Sequence, residues 1–240
     1  MKTTRLLFLC TIVSFTIISM IQAQNDRVLI FTKTKGFRHQ SIEKGRAVIA
    51  SLLLDQNIQI DSTENAEKFT LNNLKKYKAL IFLNTTGDLF DDNQQKALIN
   101  YIEQGGGFVG IHASTDAEYE WPWYGKMAGG YFESHPEQQE AVIRVIDKNH
   151  ASTEMLPDKW TRFDEWYNFK NVNPDIKVLA KLDETSYEGG SMNNDHPIVW
   201  YHEFDGGRVF YTGFGHTDET FDEPLFRQHV MGGIKYAMGK

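Results

Sequence analysis

Apolar residues along this chain recur in short dense runs, separated by stretches with helical spacing. Arg27 to Lys33, RVLIFTK, is a compact apolar run of the kind that fills a central parallel strand. SIEKGRAVIASLLLD follows, placing Ile42, Val48, Ile49, Leu52 and Leu53 on one helical face, with Ser41 in the N-cap position. IQIDST then reads as a strand, TLNNLKKY as a short helix and KALIFLNTTG as a buried strand. A helix from about Asp92 to Gln104 runs up to three glycines, and FVGIHAS is a fourth strand. Parallel strands need crossover connections, so strands alternating with helices predict a doubly wound parallel sheet. After His135 the pattern changes. EAVIRVID, IKVLAKLD, PIVWYHEF and RVFYTGFG alternate or are rich in β-formers, and DGG at Asp205 to Gly207 reads as a hairpin joining the last two. These runs predict either an extension of the sheet or an antiparallel layer beside it. EPLFRQHVMGGIKYAMG closes the chain as a helix. With no Pro- or Ser-rich linker and no repeat, the expectation is a signal segment, 1–23, followed by one domain, 24–240.

The leader reading rests on Lys2 and Arg5 ahead of an apolar run from Leu6 to Ile21, with the small Ala23 as cleavage point. The run is short for a membrane span and gives way at once to QNDR, so an exported protein, in a bacterial periplasm or at the cell surface, is expected, with no membrane contact after cleavage. Cleavage removes Cys10, the only cysteine, and with it thiol catalysis, disulfides and a Cys-ligated zinc site. Loss of Lys2 and Arg5 also takes the formal net charge from −7 to about −9, which disfavours nucleic acid as a partner. Aromatics make up 13% of the chain, and those in EYEWPWYG and RFDEWYNF stand among charges, as in a cleft for a flat ligand or a sugar rather than in interior packing.

Gly105, Gly107 and Gly110 satisfy G-x-G-x-x-G in spacing alone. A dinucleotide motif follows a strand and opens a helix, whereas these glycines follow a helix and lead into a strand. Ligands of open parallel sheets bind beyond the carboxyl ends of the strands, which draws attention to the residues just after each one. Those are His39 after the first strand, Asn84, Thr85 and Asp88 after the third, and His112, Ser114 and Asp116 after the fourth. Further along, His135, Asp164, Glu165, Tyr167, His216 and Asp218 join the candidates. His150, His202 and His229 read better as surface or core residues. His39, His112, His135 and His216, with Asp164 or Glu165, offer donors for zinc or a similar divalent ion. No HxxxH or HExxH pair makes that geometry local, so a metal cofactor is a candidate only.

GFRHQSI, GGGFVGIHASTD, GGYFESHP, DEWYNF and RVFYTGFGH, in that order, resemble successive blocks of the ThuA-like (trehalose utilisation) family, from about Arg27 to Ala237. The resemblance implies an α/β fold similar to class I glutamine amidotransferases: a flavodoxin-like three-layer sandwich with a mainly parallel central sheet and extra antiparallel strands in the C-terminal half. It also implies a role in sugar metabolism, particularly with disaccharides oxidised at C3. The amidotransferase turn G-x-C-x-G presents a cysteine; here Gly110-Ile111-His112-Ala113-Ser114 has His in its place, so glutamine hydrolysis by that route is excluded, and Ser114 lies two residues beyond the elbow. For a 3-keto-glycoside the expected roles are His112 or His39 as base, Glu165 or Asp164 as acid, and His216 or a divalent ion as electrophile. Trp121, Trp123 and Trp166 are expected to stack on sugar faces, with Asp116, His135 and Tyr167 also binding substrate. The other reading is a non-catalytic carbohydrate-binding domain. The sequence leaves a homo-oligomer open.

Overall fold

The computed structural model describes residues 26–240; the leader expected at 1–23 lies outside the described residues. Among these, none of the helices is long and apolar enough to cross a membrane. The alternating half supplies β1 (Arg27–Phe31), α1 (Ile42–Asp55), β2 (Gln59–Thr63), α2 (Leu71–Leu74), β3 (Ala79–Leu83), α3 (Asp92–Glu103) and β4 (Gly107–Ile111). Then come α4 (Pro122–Ala128), β5 (Tyr131–Ser134), β6 (Gln139–Val145), β7 (Lys159–Asp164), β8 (Asn168–Lys170), β9 (Lys177–Leu182), β10 (His196–Phe204), β11 (Gly207–Thr212) and α5 (Pro224–Met238).

Nine strands form one sheet in the order β2-β1-β3-β4-β11-β10-β9-β6-β7, and β5 pairs with β8 separately. The first five are mutually parallel, as the alternating pattern predicts. From β11 outward the pairing is antiparallel, so the C-terminal runs extend the sheet rather than layering beside it. β11 carries both characters: it pairs parallel with β4 and antiparallel with β10. The β10–β11 hairpin turns on Asp205 (φ 45°) and Gly206 (φ 92°), the two positive φ values of a tight I′-type turn.

Every residue of β3 and β4 is buried, which is why these strands read as continuous apolar runs without alternation. Their side chains still divide between two cores. Val28, Ile30, Ile81 and Val109 face Ile49 and Leu53 of α1 and Val230 and Ile234 of α5. Leu29, Phe31, Phe82 and Phe108 face Leu98 and Ile102 of α3 and Tyr124 of α4. The result is a flavodoxin-like sandwich of helix, sheet and helix layers, and fully burying a ring such as Phe82 is worth about 1.5–3 kcal/mol.

Local signals explain most element ends. Asp91 and Gln94 form a reciprocal capping box at the start of α3, and Gly105 (φ 87°) follows its end. Gly107 opens β4 where an added Cβ would lie 2.1 Å from the Ala237 carbonyl, so the glycine motif serves helix exit and close packing. Ser41 departs from expectation: its hydroxyl makes no cap bond to α1 and donates instead to the Gly215 carbonyl at 2.9 Å.

Candidate active site

The carboxyl ends of β1, β3, β4 and β11 are tied together before any reactive group is considered. Asn84, just after β3, holds φ 51° and is fully buried. Its amide donates to the Ser41 hydroxyl (3.0 Å) and the Gly215 carbonyl (3.1 Å), and its Oδ1 accepts from the Ala113 N–H (3.3 Å). Asp164 does the same from the end of β7, accepting the backbone N–H groups of Gly215 (3.0 Å), His216 (3.1 Å) and Glu165 (3.0 Å) and the Thr220 hydroxyl (3.0 Å). Arg162, itself buried, pairs with this carboxylate and with Glu223.

Inside that frame His112 stands at the elbow after β4 with φ 47°, a left-handed conformation that costs a non-glycine residue about 1 kcal/mol or more. Its carbonyl accepts from the Tyr211 hydroxyl (2.8 Å), and its Nδ1 lies 2.9 Å from the Gly213 carbonyl. A carbonyl only accepts, so Nδ1 carries a hydrogen and Nε2 is the nitrogen turned towards the site. There Nε2 meets Glu165 Oε2 (3.3 Å) and His216 Nδ1 (3.3 Å), while His216 Nδ1 lies 3.0 Å from the same Oε2. The other oxygen of Glu165 faces His135 Nδ1 at 3.3 Å. His39 completes the group, its ring edge-on to both His112 and His216 with centroids 5.0 Å away. His39, His112, Glu165 and His216 each turn a ligand atom to a point where all four lie within 4.8 Å of one another. Tyr167 covers the group, 4.3 Å from the His112 ring and 3.5 Å from His39 Nε2.

The electrostatics divide the two carboxylates. Burial pushes the Glu165 carboxyl up, but hydrogen bonds and charge from His112 and His216 outweigh it and hold the group well below the usual carboxylate range. Asp116 moves the other way: burial raises it, against the Tyr119 hydroxyl that donates to it at 2.6 Å and the neighbouring His112 and His135. Burial, and then the proximity of His112 and His216, lower His39 to about 2, so it is a neutral imidazole throughout the working range. The outer side is solvent-accessible: the side chains of His135 and His216 are 43% and 16% exposed.

The expected residues therefore separate. His39, His112, Glu165 and His216 meet, with His135, Asp116 and Tyr167 around them. Asp164 is sealed, its oxygens engaged by backbone and Arg162, so it positions the His216 loop and is not a proton donor. Glu165, held ionised, does not fit the role of acid either. Ser114 is fully buried and offers no nucleophile. The three tryptophans depart furthest from expectation. Trp166 is fully buried and donates to the Gln139 carbonyl at 2.8 Å, leaving no face for a sugar. Trp121 and Trp123 stack on each other, and Trp123 is tied to Asp205 (2.7 Å) at the turn before β11, the opposite end of that strand from His216.

Other aromatics border the site instead. Phe37 is 66% exposed and edge-on to His39, and Phe132 lies 4.2 Å from Tyr167. Gln138, three residues beyond His135, places its amide 2.9 Å from His216 Nε2. It lines a cavity of about 400 Å³ with Thr217, Glu219 and the half-exposed Phe163. Phe37 carried a signal, two residues before His39 in GFRHQS; Gln138 carried none.

The model of the ThuA family, described as trehalose utilisation, matches residues 27–237. Among solved structures, the chain is similar to a ThuA-like protein from Bacteroides uniformis, with 25% identity and TM-score 0.77 over 89% of this chain and 91% of that one. A ThuA-like protein from Parabacteroides merdae gives 20% identity and TM-score 0.74 over 90% of this chain and 91% of that one. The β-galactosidase of Bacillus circulans shares the fold over 90% of this chain but 31% of its own, with 14% identity and TM-score 0.59. No curated protein matches the chain in sequence. With the family model spanning both the parallel and the antiparallel halves of the sheet, and so all of the residues gathered around His112, this chain belongs to the ThuA family.

Proposed function

We propose that this chain is an enzyme of sugar breakdown that acts on glycosides or disaccharides bearing a keto group, by acid/base chemistry at the carboxyl edge of its sheet. The observation that carries the reading is the pairing of two unlike poles in one place. A buried pole of His39, His112, His216 and ionised Glu165 lies beside a solvent-accessible wall where Asp116 is raised towards holding a proton. The family's link to trehalose utilisation favours a glucose disaccharide as the substrate class.

The chemistry that suits these poles is elimination followed by hydration. In a 3-keto-glycoside the carbonyl acidifies the C2 proton; a positive centre at this group, His216 or a divalent ion held there, would polarise that carbonyl, and a group on the wall, Asp116 or His135, takes the proton. The bond from C1 to the leaving oxygen then breaks, a wall carboxylic acid or water protonates that oxygen, and the double bond forms between C1 and C2. Water adds at C1 and a proton returns to C2, so the sum is hydrolysis and every proton is restored. The His112-as-base expectation yields to this division because its free nitrogen points into the buried pole. Phe37, Phe132 and Phe163, in place of the tryptophans, offer apolar faces to a sugar ring. Lys2 and Arg5 ahead of the apolar run Leu6 to Ile21, which read as a leader, favour an exported protein.

The test is release of aglycone from a 3-keto-glucoside and its unoxidised counterpart. Turnover of the keto compound alone, falling about 100-fold or more in Asp116→Asn and in His112→Ala, is expected. Binding of either sugar without turnover would replace the enzyme by a carbohydrate-binding domain.

A further inference from the structure

The buried pole has an unresolved proton account. His112 Nδ1 is committed to the Gly213 carbonyl, so Nε2 turns its lone pair towards a carboxylate oxygen and a second imidazole nitrogen, each 3.3 Å away. His39 is buried too, its Nδ1 has no partner, and its Nε2 is met only by the Tyr167 hydroxyl at 3.5 Å. Lone pairs and negative charge converging out of water are costly unless something positive sits among them.

The spacing says what would fit. Nε2 of His112, Nδ1 of His216 and Oε2 of Glu165 form a triangle with edges of 3.3, 3.0 and 3.3 Å. Donors held ~2.0–2.1 Å from a tetrahedral ion lie about 3.3–3.4 Å apart, so the triangle is close to one face of such a site. His39 supplies the fourth donor. Outer partners are in place as well: Gly213 orients His112, and the Gln138 amide nitrogen lies 2.9 Å from His216 Nε2, so that with this amide turned over its oxygen would accept the Nε2–H and leave Nδ1 for an ion.

We propose that His39, His112, His216 and Glu165 form a site for one divalent transition-metal ion of the zinc class, held by three imidazole nitrogens and one carboxylate oxygen. Nitrogen-rich donors select zinc, cobalt, nickel or iron(II) over magnesium and calcium, which take oxygen. The four ligands come from four separated segments, so no short metal motif announces them. The proposal deepens the keto-sugar reading, since such an ion is an electrophile for the carbonyl, but metal binding itself is measured without any sugar.

The experiment takes the full chain purified without a histidine tag, strips it with a chelator, dialyses it, and titrates it with zinc and with cobalt(II). Expected are about one ion per chain by elemental analysis, a visible cobalt absorption band of low-coordinate N/O type, and a raised melting temperature with zinc but not magnesium. His112→Ala and Glu165→Gln should each weaken binding by at least about tenfold, and Glu137→Gln, an exposed acid apart from the four donors, should bind like the parent. Circular dichroism identifies any variant that has lost its fold, and His216→Ala gives a second reading of the same ligand set. A folded chain that takes up none of these ions, or folded ligand variants that bind as the parent does, overturns the site. One ion bound without keto-glycoside turnover keeps the site and removes the enzyme reading; turnover in a chain that binds none of these ions does the reverse.

Discussion

Asp116 and Glu165 are carboxylates of one site, and their surroundings drive them in opposite directions: burial raises Asp116, whereas His112 and His216 hold Glu165 ionised. Because the folded chain raises Asp116 above its ordinary 3.8, its stabilising contribution is complete below that pH and is lost as pH rises through the folded value. Asp116→Asn is therefore expected to be as stable as the parent or more so at neutral pH, with the difference vanishing on acidification below 3.8. Urea unfolding at several pH values checks this, and a variant weaker at neutral pH would show that the ionised form is the favoured one. Neighbouring residues also set the limit of what sequence can say. Asp164 and Glu165 are adjacent acids at the end of a strand, where consecutive side chains leave on opposite sides. One clamps the backbone of Gly215 and His216, the other enters the site, and nothing in DEWYNF distinguishes them.

Among the elements, α1 shows packing overruling propensity. Gly45 sits in the second turn of this helix, and replacing an interior glycine by alanine ordinarily gains up to ~1 kcal/mol. Here an added Cβ would lie 2.6 Å from the Phe221 ring, which belongs to the short turn after His216. Gly45→Ala is expected to lower stability by about 1–3 kcal/mol in a thermal or urea melt, through overpacking. The strands β1, β3 and β4 were legible because burial on both faces leaves a dense apolar signature. α4 was not, because a seven-residue helix opening with Pro122 between two tryptophans resembles an aromatic loop. β7 alternates exposed and buried in register with β6, but its end merges into the aromatic cluster that suggested a cleft.

For the molecule as a whole, the flanking logic of strand and helix was readable, but the place of the C-terminal strands was not, since alternation looks the same in an added edge and in a separate layer. Likewise the rule that ligands sit beyond strand ends located His39, His112 and His216, because each closely follows a strand in the sequence. Whether a tryptophan faces water or core depends on the opposite layer, and Trp166 is enclosed by residues distant in sequence. Export belongs to this scale too: intact-mass measurement of the chain recovered from outside the cytoplasm is expected to show Gln24 as the first residue, and an unprocessed Met1 would remove the leader reading. The left-handed turn at His112 has one more consequence. Its cost falls mainly on the backbone and is similar for unbranched side chains such as His and Cys, so the turn itself places little preference between these two reagents. A lineage built on this architecture can exchange thiol for imidazole by a few base changes and acquire new chemistry while the surrounding framework stays as it was.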